Sequence, residues 1–200
     1  MTIVLVRHAE TVFNATRVVQ PPDTPLSDRG RVQAARLAER LATSGVRRIL
    51  SSDLARARAT AEALHEATRA PIVLDPDLQE RNYGAVRGTP YAALDVDIFG
   101  PDYVPPEGES WAAFHARVDR AWEHVVRAAA ETAPIAVVTH GLVCYSLLLR
   151  HVLPPPGVAP SMRWGNTSVT LIDGPTPWRA RVLDCTAHLD EALRADGAKA

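Results

Sequence analysis

The sequence is poor in cysteine, in excess charge of either sign and in long apolar runs. Its two cysteines, Cys144 and Cys185, are too few for a disulfide framework or a four-sulfur zinc site. A formal net charge of -1 provides no global basic field for nucleic acid or an anionic membrane. No apolar stretch approaches the ~18–20 residues of a membrane-spanning helix, and no signal peptide precedes the first predicted strand. We therefore expect a soluble cytoplasmic protein without nucleic-acid or membrane partners.

What is present is the composition of an ordinary globular domain. The 200 residues are 46% hydrophobic and 22% charged, which suits one domain over residues 1–200. Short β-branched runs alternate with amphipathic stretches. They predict strands at 2–6, 46–50, 71–74 and 134–138, and helices at 28–42, 53–67, 110–131 and 141–152. Ser52 is the predicted N-cap of the second helix, and the polar stretch from the first strand to Pro25 predicts a loop. This alternation predicts a three-layer α/β/α fold with a mostly parallel central sheet.

Other segments do not fit the alternation. Residues 167–172 and 178–183 predict a hairpin, followed by a helix over 187–193 and a flexible tail over about 195–200. The stretch from 75 to 108 is rich in Pro, Gly and Asp, with one weak helical pattern over 91–96. Long irregular segments are usually functional or disordered, so we interpret about 81–110 as a lid insert.

Cationic side chains follow three of the predicted strands. The first strand leads into Arg7-His8, the second into Ser51–Arg56, and the fourth into His140-Gly141. A single arginine or histidine at such a position is more often a surface charge or a core residue. In parallel sheets, however, ligands bind beyond the carboxyl ends of the strands, where helix N-termini also favour anions. Three such junctions on one rim therefore predict a site for a doubly charged oxyanion such as phosphate.

The same residues carry a family resemblance. Ordered motifs occur at 5–14, 25–34, 51–62, 78–84, 108–110 and 138–141, beginning with Leu-Val-Arg-His-Ala-Glu-Thr. They resemble the motifs of the histidine phosphatase superfamily, in its phosphoglycerate mutase-like phosphatase branch. The sequence departs from the usual pattern at Ala9, where glycine is common, and after Gly84, where many phosphatases carry Trp-Glu. The run Glu80-Arg-Asn-Tyr-Gly84 is closer to the mutases.

The resemblance implies a role for each site residue. His8 would be the nucleophile that forms a phosphohistidine, and Glu80 the proton donor and acceptor. The phosphate would be held by Arg7, Asn14, Arg56, His140 and Gly141. Flanking arginines disfavour a charged imidazole and so keep His8 nucleophilic. No metal or other cofactor is expected, since the remaining histidines show no paired ligand spacing.

Three functions fit this pattern. The first is a phosphomonoester hydrolase acting through phosphohistidine on a small phosphorylated metabolite. The alternative is a phosphoglycerate mutase dependent on 2,3-bisphosphoglycerate, and the third is a catalytically weak member that only binds a phosphorylated ligand. A dinucleotide-binding domain is excluded because no G-x-G-x-x-G follows the first strand. The sequence does not define the oligomeric state, and it leaves room for a homodimer.

The charge of the lid favours hydrolysis over mutase activity. Residues 89–110 contain no Lys or Arg but carry Asp95, Asp97, Asp102, Glu107 and Glu109. Carboxylates facing the pocket would repel a second phosphate and favour an apolar or neutral leaving group. Arg81 and Arg87 are the counter-evidence, because either could reach the pocket from the Glu80 loop.

Overall fold

The computed structural model describes residues 1–194 as an α/β fold around a seven-stranded sheet. The strands are β1 (Thr2–Arg7), β2 (Arg48–Ser51), β3 (Ile72–Leu74), β4 (Ile135–Thr139), β5 (Val152–Leu153), β6 (Val169–Asp173) and β7 (Trp178–Cys185). The helices are α1 (Val12–Thr16), α2 (Asp28–Leu41), α3 (Ala55–Thr68), α4 (Trp111–Thr132), α5 (Gly141–Arg150) and α6 (Glu191–Arg194).

The sheet is mostly parallel, as predicted. Its strand order is β3-β2-β4-β1-β6-β7-β5. Strands β3, β2, β4 and β1 pair in parallel, while β6 pairs antiparallel with both β1 and β7. Because β1 and β4 are central neighbours in register, with Arg7 opposite Thr139, their carboxyl ends open at the same point of the sheet edge.

Helices cover both faces of the sheet. The alternation of β1 places Ile3 and Leu5 in one buried cluster, with Phe114 and Val118 of α4. On the opposite face, Val4 and Val6 pack in a second cluster with side chains of α2 and α3, including Leu37, Ala57 and Leu64. Burial on both sides is why β1 is a continuous apolar run, and it confirms the three layers.

Several element boundaries differ from the prediction. Helix α1 lies in a segment predicted to be a loop, and its capping box between Thr11 and Asn14 is the signal that was missed. Helix α3 begins at Ala55 after Leu54, so Ser52 is not its N-cap. Helix α5 ends at Arg150 and is followed by the two-residue strand β5. The weak helical pattern over 91–96 is one 3₁₀ turn, Tyr91–Ala93, and the last helix is 191–194 rather than 187–193. The predicted tail over about 195–200 lies outside the described residues.

The lid segment, residues 81–110, has no strand and no α-helix. Buried Arg81 organises it, because its guanidinium donates to the carbonyls of Ile98, Tyr103 and Glu109 and stacks 4.3 Å from the Trp111 ring centroid. These bonds join distant parts of the segment to the start of α4. Within residues 1–194, no helix is long and apolar enough to cross a membrane.

Candidate active site

An open cavity lies at the carboxyl ends of β1, β2 and β4. Six of the seven predicted site residues line it: Arg7, His8, Asn14, Arg56, Glu80 and Gly141. The seventh, His140, lies directly behind, with its ring centroid 5.0 Å from that of His8. The structure therefore brings together all the residues predicted for the site, from four separate stretches of the chain.

The geometry of His8 fixes its tautomer. Its main-chain N–H donates to the carbonyl of Thr139 at 2.8 Å, which ties the residue to the end of β4. Its Nδ1 lies 2.7 Å from the carbonyl oxygen of Ala9, which can only accept. Nδ1 therefore carries the proton, and Nε2 keeps a free lone pair. Burial lowers the pKa of His8 well below its usual range, and the charges of Arg56 and Arg7 lower it further.

His140 is held by Ser52, which the sequence predicts to be a helix N-cap. Its Nε2 lies 2.9 Å from the Ser52 hydroxyl, which also accepts a bond from the main-chain N–H of Leu54. The Ser52 hydroxyl can donate to Nε2, an arrangement in which the proton of His140 lies on Nδ1. That buried Nδ1 has no partner within residues 1–194. Burial, followed by the charge of Arg56, lowers the pKa of His140 well below its usual range, so the ring is a neutral donor.

The two arginines predicted for the site, Arg7 and Arg56, contribute positive charge to the cavity. Arg7 donates through one terminal nitrogen to the carbonyl of Trp164, and Arg56 donates to the carbonyl of Pro21 at 3.2 Å. In both, the Nε group is buried without a partner in the described part of the chain. Burial lowers the pKa of Arg56 to about 10, opposed by the nearby carboxylate of Glu80. Arg56 therefore remains a cation at neutral pH, with donors free for an anionic ligand.

Glu80 faces these cations across the cavity. Its two carboxylate oxygens accept from the main-chain N–H groups of Arg81 at 3.0 Å and Leu142 at 3.3 Å. Burial raises the pKa of Glu80, while these two N–H groups and Arg56 act in the opposite direction. A carboxyl group with a raised pKa beside a phosphate site is suited to donate a proton to a leaving group.

Asn14 and Gly141 complete the predicted set. The Asn14 side-chain oxygen accepts from the Thr11 main chain at 3.1 Å, so its amide group is oriented and its two hydrogens are available. Gly141 is the first residue of α5, and an added Cβ there would lie in van der Waals contact with Arg7, whose Nε is 3.7 Å away, and with a carbonyl oxygen at 3.9 Å. Both positions can offer neutral donors to an anion.

Sequence reasoning missed a supporting loop between β5 and β6. The Asn166 side chain donates to the main-chain carbonyl of His8 at 3.1 Å, and the Thr167 N–H donates to the same oxygen at 3.3 Å. Thr167 has a φ of 54°, a left-handed conformation that a β-branched residue rarely adopts. Trp164 and Arg163 of this loop line the cavity. Their sequence carries no local pattern that identifies them.

The lid does not present its acidic residues to the cavity. The lid side chains that line it are Arg81, Tyr83, Arg87, Tyr91 and Phe99, and none of the five carboxylates is among them. Glu109 instead pairs with Arg117, whose hydrogen bonds lower the pKa of that carboxyl against the effect of burial. The expectation that an acidic lid repels a second phosphate is therefore wrong, because these carboxylates do not face the cavity.

One group of metal-type ligands occurs within residues 1–194, and it lies outside the cavity. The side chains of Asp75, Asp77 and His124 approach within 4.8 Å of one another. His124 Nδ1 already lies 2.9 Å from Asp75, and Arg120 pairs with Asp77 at 3.1 Å. These side chains are thus already paired with one another or with Arg120, and none of them lines the cavity.

Comparison with known proteins identifies the family. A model of the histidine phosphatase superfamily (branch 1) matches residues 3–185, nearly the whole described chain. The chain belongs to this superfamily. The resemblance carried by the sequence motifs is therefore confirmed.

Relatives of known name include both mutases and phosphatases. The probable phosphoglycerate mutase GpmB of Yersinia enterocolitica is 34% identical over 95% of each chain. The structure of mycobacterial glucosyl-3-phosphoglycerate phosphatase with VO3 covers 92% of this chain and 99% of its own, at 29% identity and a TM-score of 0.79. A putative alpha-ribazole-5'-P phosphatase from Escherichia coli covers 92% and 96%, at 25% identity and a TM-score of 0.77.

Proposed function

We propose that this histidine phosphatase hydrolyses phosphomonoesters of small metabolites through a phosphohistidine intermediate. The observation that carries the proposal is the tautomer of His8, whose Nδ1 is tied to the Ala9 carbonyl at 2.7 Å. A neutral imidazole with a free Nε2 in a cationic cavity is a nucleophile prepared for phosphorus. The solved relatives named as phosphatases, one of them with VO3, agree with this chemistry.

In the first step, Nε2 of His8 attacks phosphorus and the bond from phosphorus to the ester oxygen breaks. Arg7, Arg56 and His140 donate to the non-bridging oxygens as negative charge spreads over them. Glu80, whose pKa burial raises, acts as the general acid and gives its proton to the departing alkoxide. In the second step, the Glu80 carboxylate accepts a proton from water. The water oxygen bonds to phosphorus, and the N–P bond breaks to release inorganic phosphate and neutral His8.

The test combines a substrate screen with trapping of the intermediate. Phosphate release is measured over a panel of phosphorylated metabolites, and the enzyme is then acid-quenched during turnover of the best ³²P-labelled substrate. Label should appear on His8, and His8→Ala should lose about 10⁴-fold or more in kcat while keeping the wild-type circular dichroism spectrum. Turnover without labelled His8, or an active His8→Ala variant, would contradict the mechanism.

Phosphoglycerate mutase activity is the second candidate, favoured by the 34% identity to GpmB. It shares the first step but returns the phosphoryl group to a phosphoglycerate hydroxyl instead of to water. An assay of 3-phosphoglycerate conversion with and without 2,3-bisphosphoglycerate separates the two. Phosphate release from the best monoester above mutase turnover would support the hydrolase, and the reverse result would establish the mutase. Metal independence, a cytoplasmic location and a homodimer stay predictions.

A further inference from the structure

A histidine that does not line the cavity contacts a strained residue of the supporting loop. Thr167 is fully buried with a left-handed φ of 54°, and its main-chain N–H donates to the carbonyl of His8 at 3.3 Å. A β-branched residue keeps such a conformation only where its surroundings fix it. The Thr167 hydroxyl lies 3.1 Å from Nε2 of His188, in the turn between β7 and α6. His188 is therefore joined to the nucleophile through a single intervening residue.

Arg40 determines the tautomer of His188. Its guanidinium, in the last turn of α2, lies 2.9 Å from Nδ1 of His188. Because a guanidinium can only donate, Nδ1 accepts and the ring proton lies on Nε2. Burial, followed by the charges of Arg40 and Arg194, lowers the pKa of His188 to about 4, so the ring is neutral at neutral pH. Nε2 of His188 therefore donates to the Thr167 hydroxyl.

The turn that carries His188 is anchored on α2. Arg40 also donates to the carbonyl of Cys185 at 3.0 Å and to its Sγ at 3.3 Å. Within the turn, the Leu189 N–H donates to the Thr186 carbonyl at 2.9 Å, and the Leu189 side chain is buried. The His188 ring is thus held at both of its nitrogens and by the main chain on either side of it.

We propose that His188 is a positioning residue, which acts through Thr167 to hold the His8 main chain in the orientation that attack on phosphorus requires. The Thr167 N–H and the Asn166 amide both donate to the His8 carbonyl. This carbonyl belongs to the peptide group that joins His8 to Ala9, and the Ala9 carbonyl in turn accepts from Nδ1 of His8. Rotation of that peptide group would therefore turn the ring away from phosphorus. Loss of His188 should slow the chemical step without weakening substrate binding.

This inference rests on the proposed function, and steady-state hydrolysis by matched variants tests it. His188→Phe keeps a planar ring but removes both nitrogens, whereas His188→Gln can keep an amide donor near the position of Nε2. Thr167→Val keeps the β-branched shape and removes the hydroxyl. The control is His65→Phe, because exposed His65 also makes a bond through Nδ1, to the Ala70 carbonyl at 2.8 Å, and does not line the cavity.

His188→Phe and Thr167→Val should each lower kcat by about tenfold and keep KM within about twofold of wild type. The double variant should lose no more than either single variant, since both substitutions remove the same hydrogen bond. His188→Gln should recover most of the lost kcat, and His65→Phe should keep the wild-type values. Circular dichroism and urea unfolding check that each variant is folded.

Three results would overturn the positioning role of His188. They are an unchanged kcat in His188→Phe, losses of kcat that multiply in the double variant, and a His188→Gln variant as slow as His188→Phe. A purely structural role would give multiplying losses, because the two substitutions would then act independently.

Failure of the proposed function gives a different result, because no ester then releases phosphate even in wild type. NMR of the ligand-free protein labelled with ¹⁵N-histidine then decides the question, since the two ring nitrogens report the tautomer separately. His188 should carry its proton on Nε2, and the His8 ring signals should shift in His188→Phe but not in His65→Phe. A proton on Nδ1 of His188, or His8 signals unchanged in His188→Phe, would refute the inference whether or not the protein is a hydrolase.

Discussion

Replacing Glu80 by glutamine tests the proton transfer at the centre of the proposed mechanism. The substitution keeps the size of the side chain and can keep a bond from the N–H of Leu142 or Arg81, so the cavity should retain its shape. Among the described residues that line the cavity, it removes the one carboxyl group, whose pKa burial raises. General acid catalysis typically contributes ~10²–10⁴-fold, and this sets the expected loss for alkyl esters.

The leaving group decides how much of that loss appears. An alkoxide is strongly basic and needs a proton as it departs, whereas p-nitrophenolate leaves readily without one. Glu80→Gln should therefore lower kcat/KM by about 10²-fold or more for an alkyl phosphate and by less than about tenfold for p-nitrophenyl phosphate. The ratio kcat/KM is the right measure because it reports only the steps up to formation of the phosphohistidine.

The pH profile provides an independent readout. His8 must be neutral and its pKa is lowered, so activity should persist below the usual range of histidine titration. Glu80 must be protonated and its pKa is raised, so activity should fall as the pH rises through that raised pKa. The wild-type profile should therefore be a bell, and Glu80→Gln should lose the alkaline limb while the acid limb remains. An equal loss for both esters, or an alkaline limb that survives the substitution, would remove Glu80 from this role.

Three further predictions concern positioning and stability. Ser52→Ala should lower kcat about tenfold, because the hydroxyl that orients His140 Nε2 is lost, and steady-state assays should show this with little change in KM. Gly30→Ala should cost at least ~2 kcal/mol in urea unfolding, since the added Cβ would lie 2.0 Å from the Glu10 carbonyl oxygen; an unchanged midpoint would contradict this packing. Arg81→Lys should accelerate hydrogen exchange in the lid segment, because an ammonium cannot serve its three carbonyls, and unchanged exchange would refute that function of Arg81.

The fold class and the residues gathered around the cavity could be predicted because their signals are local. His8 and His140 each follow a buried strand directly, and parallel pairing of β1 with β4 then brings them together. Trp164 and Asn166 could not be predicted, since they contact the site through main-chain bonds that only the tertiary structure creates. The prediction of Ser52 as a helix N-cap was wrong, because its hydroxyl contacts the ring of His140 and does not cap the helix.

The lid shows what composition alone does not predict. The segment is acidic in sequence, but composition does not determine which way each side chain points. The buried guanidinium of Arg81 gathers the lid carbonyls around itself, and Glu109 turns to Arg117 and to the N–H of Asn82. The lid therefore meets the cavity with aromatic rings and with Arg87 rather than with carboxylates. The sign of the electrostatic potential that the lid presents to a substrate therefore depends on the hydrogen bonds of the folded segment.

The unpaired hydrogen-bond donors at the cavity explain why it should favour phosphomonoesters over phosphodiesters. The Nε groups of Arg7 and Arg56 and the Nδ1 of His140 are buried without partners in the part of the chain described. Each such donor opposes folding by about 1–3 kcal/mol until something accepts its hydrogen. A phosphomonoester brings two negative charges and three non-bridging oxygens, one for each donor, whereas a diester brings one charge and two oxygens. Negative charge on these oxygens is redistributed as phosphorus moves toward His8, so donors that the fold holds in place would help to stabilise the transition state.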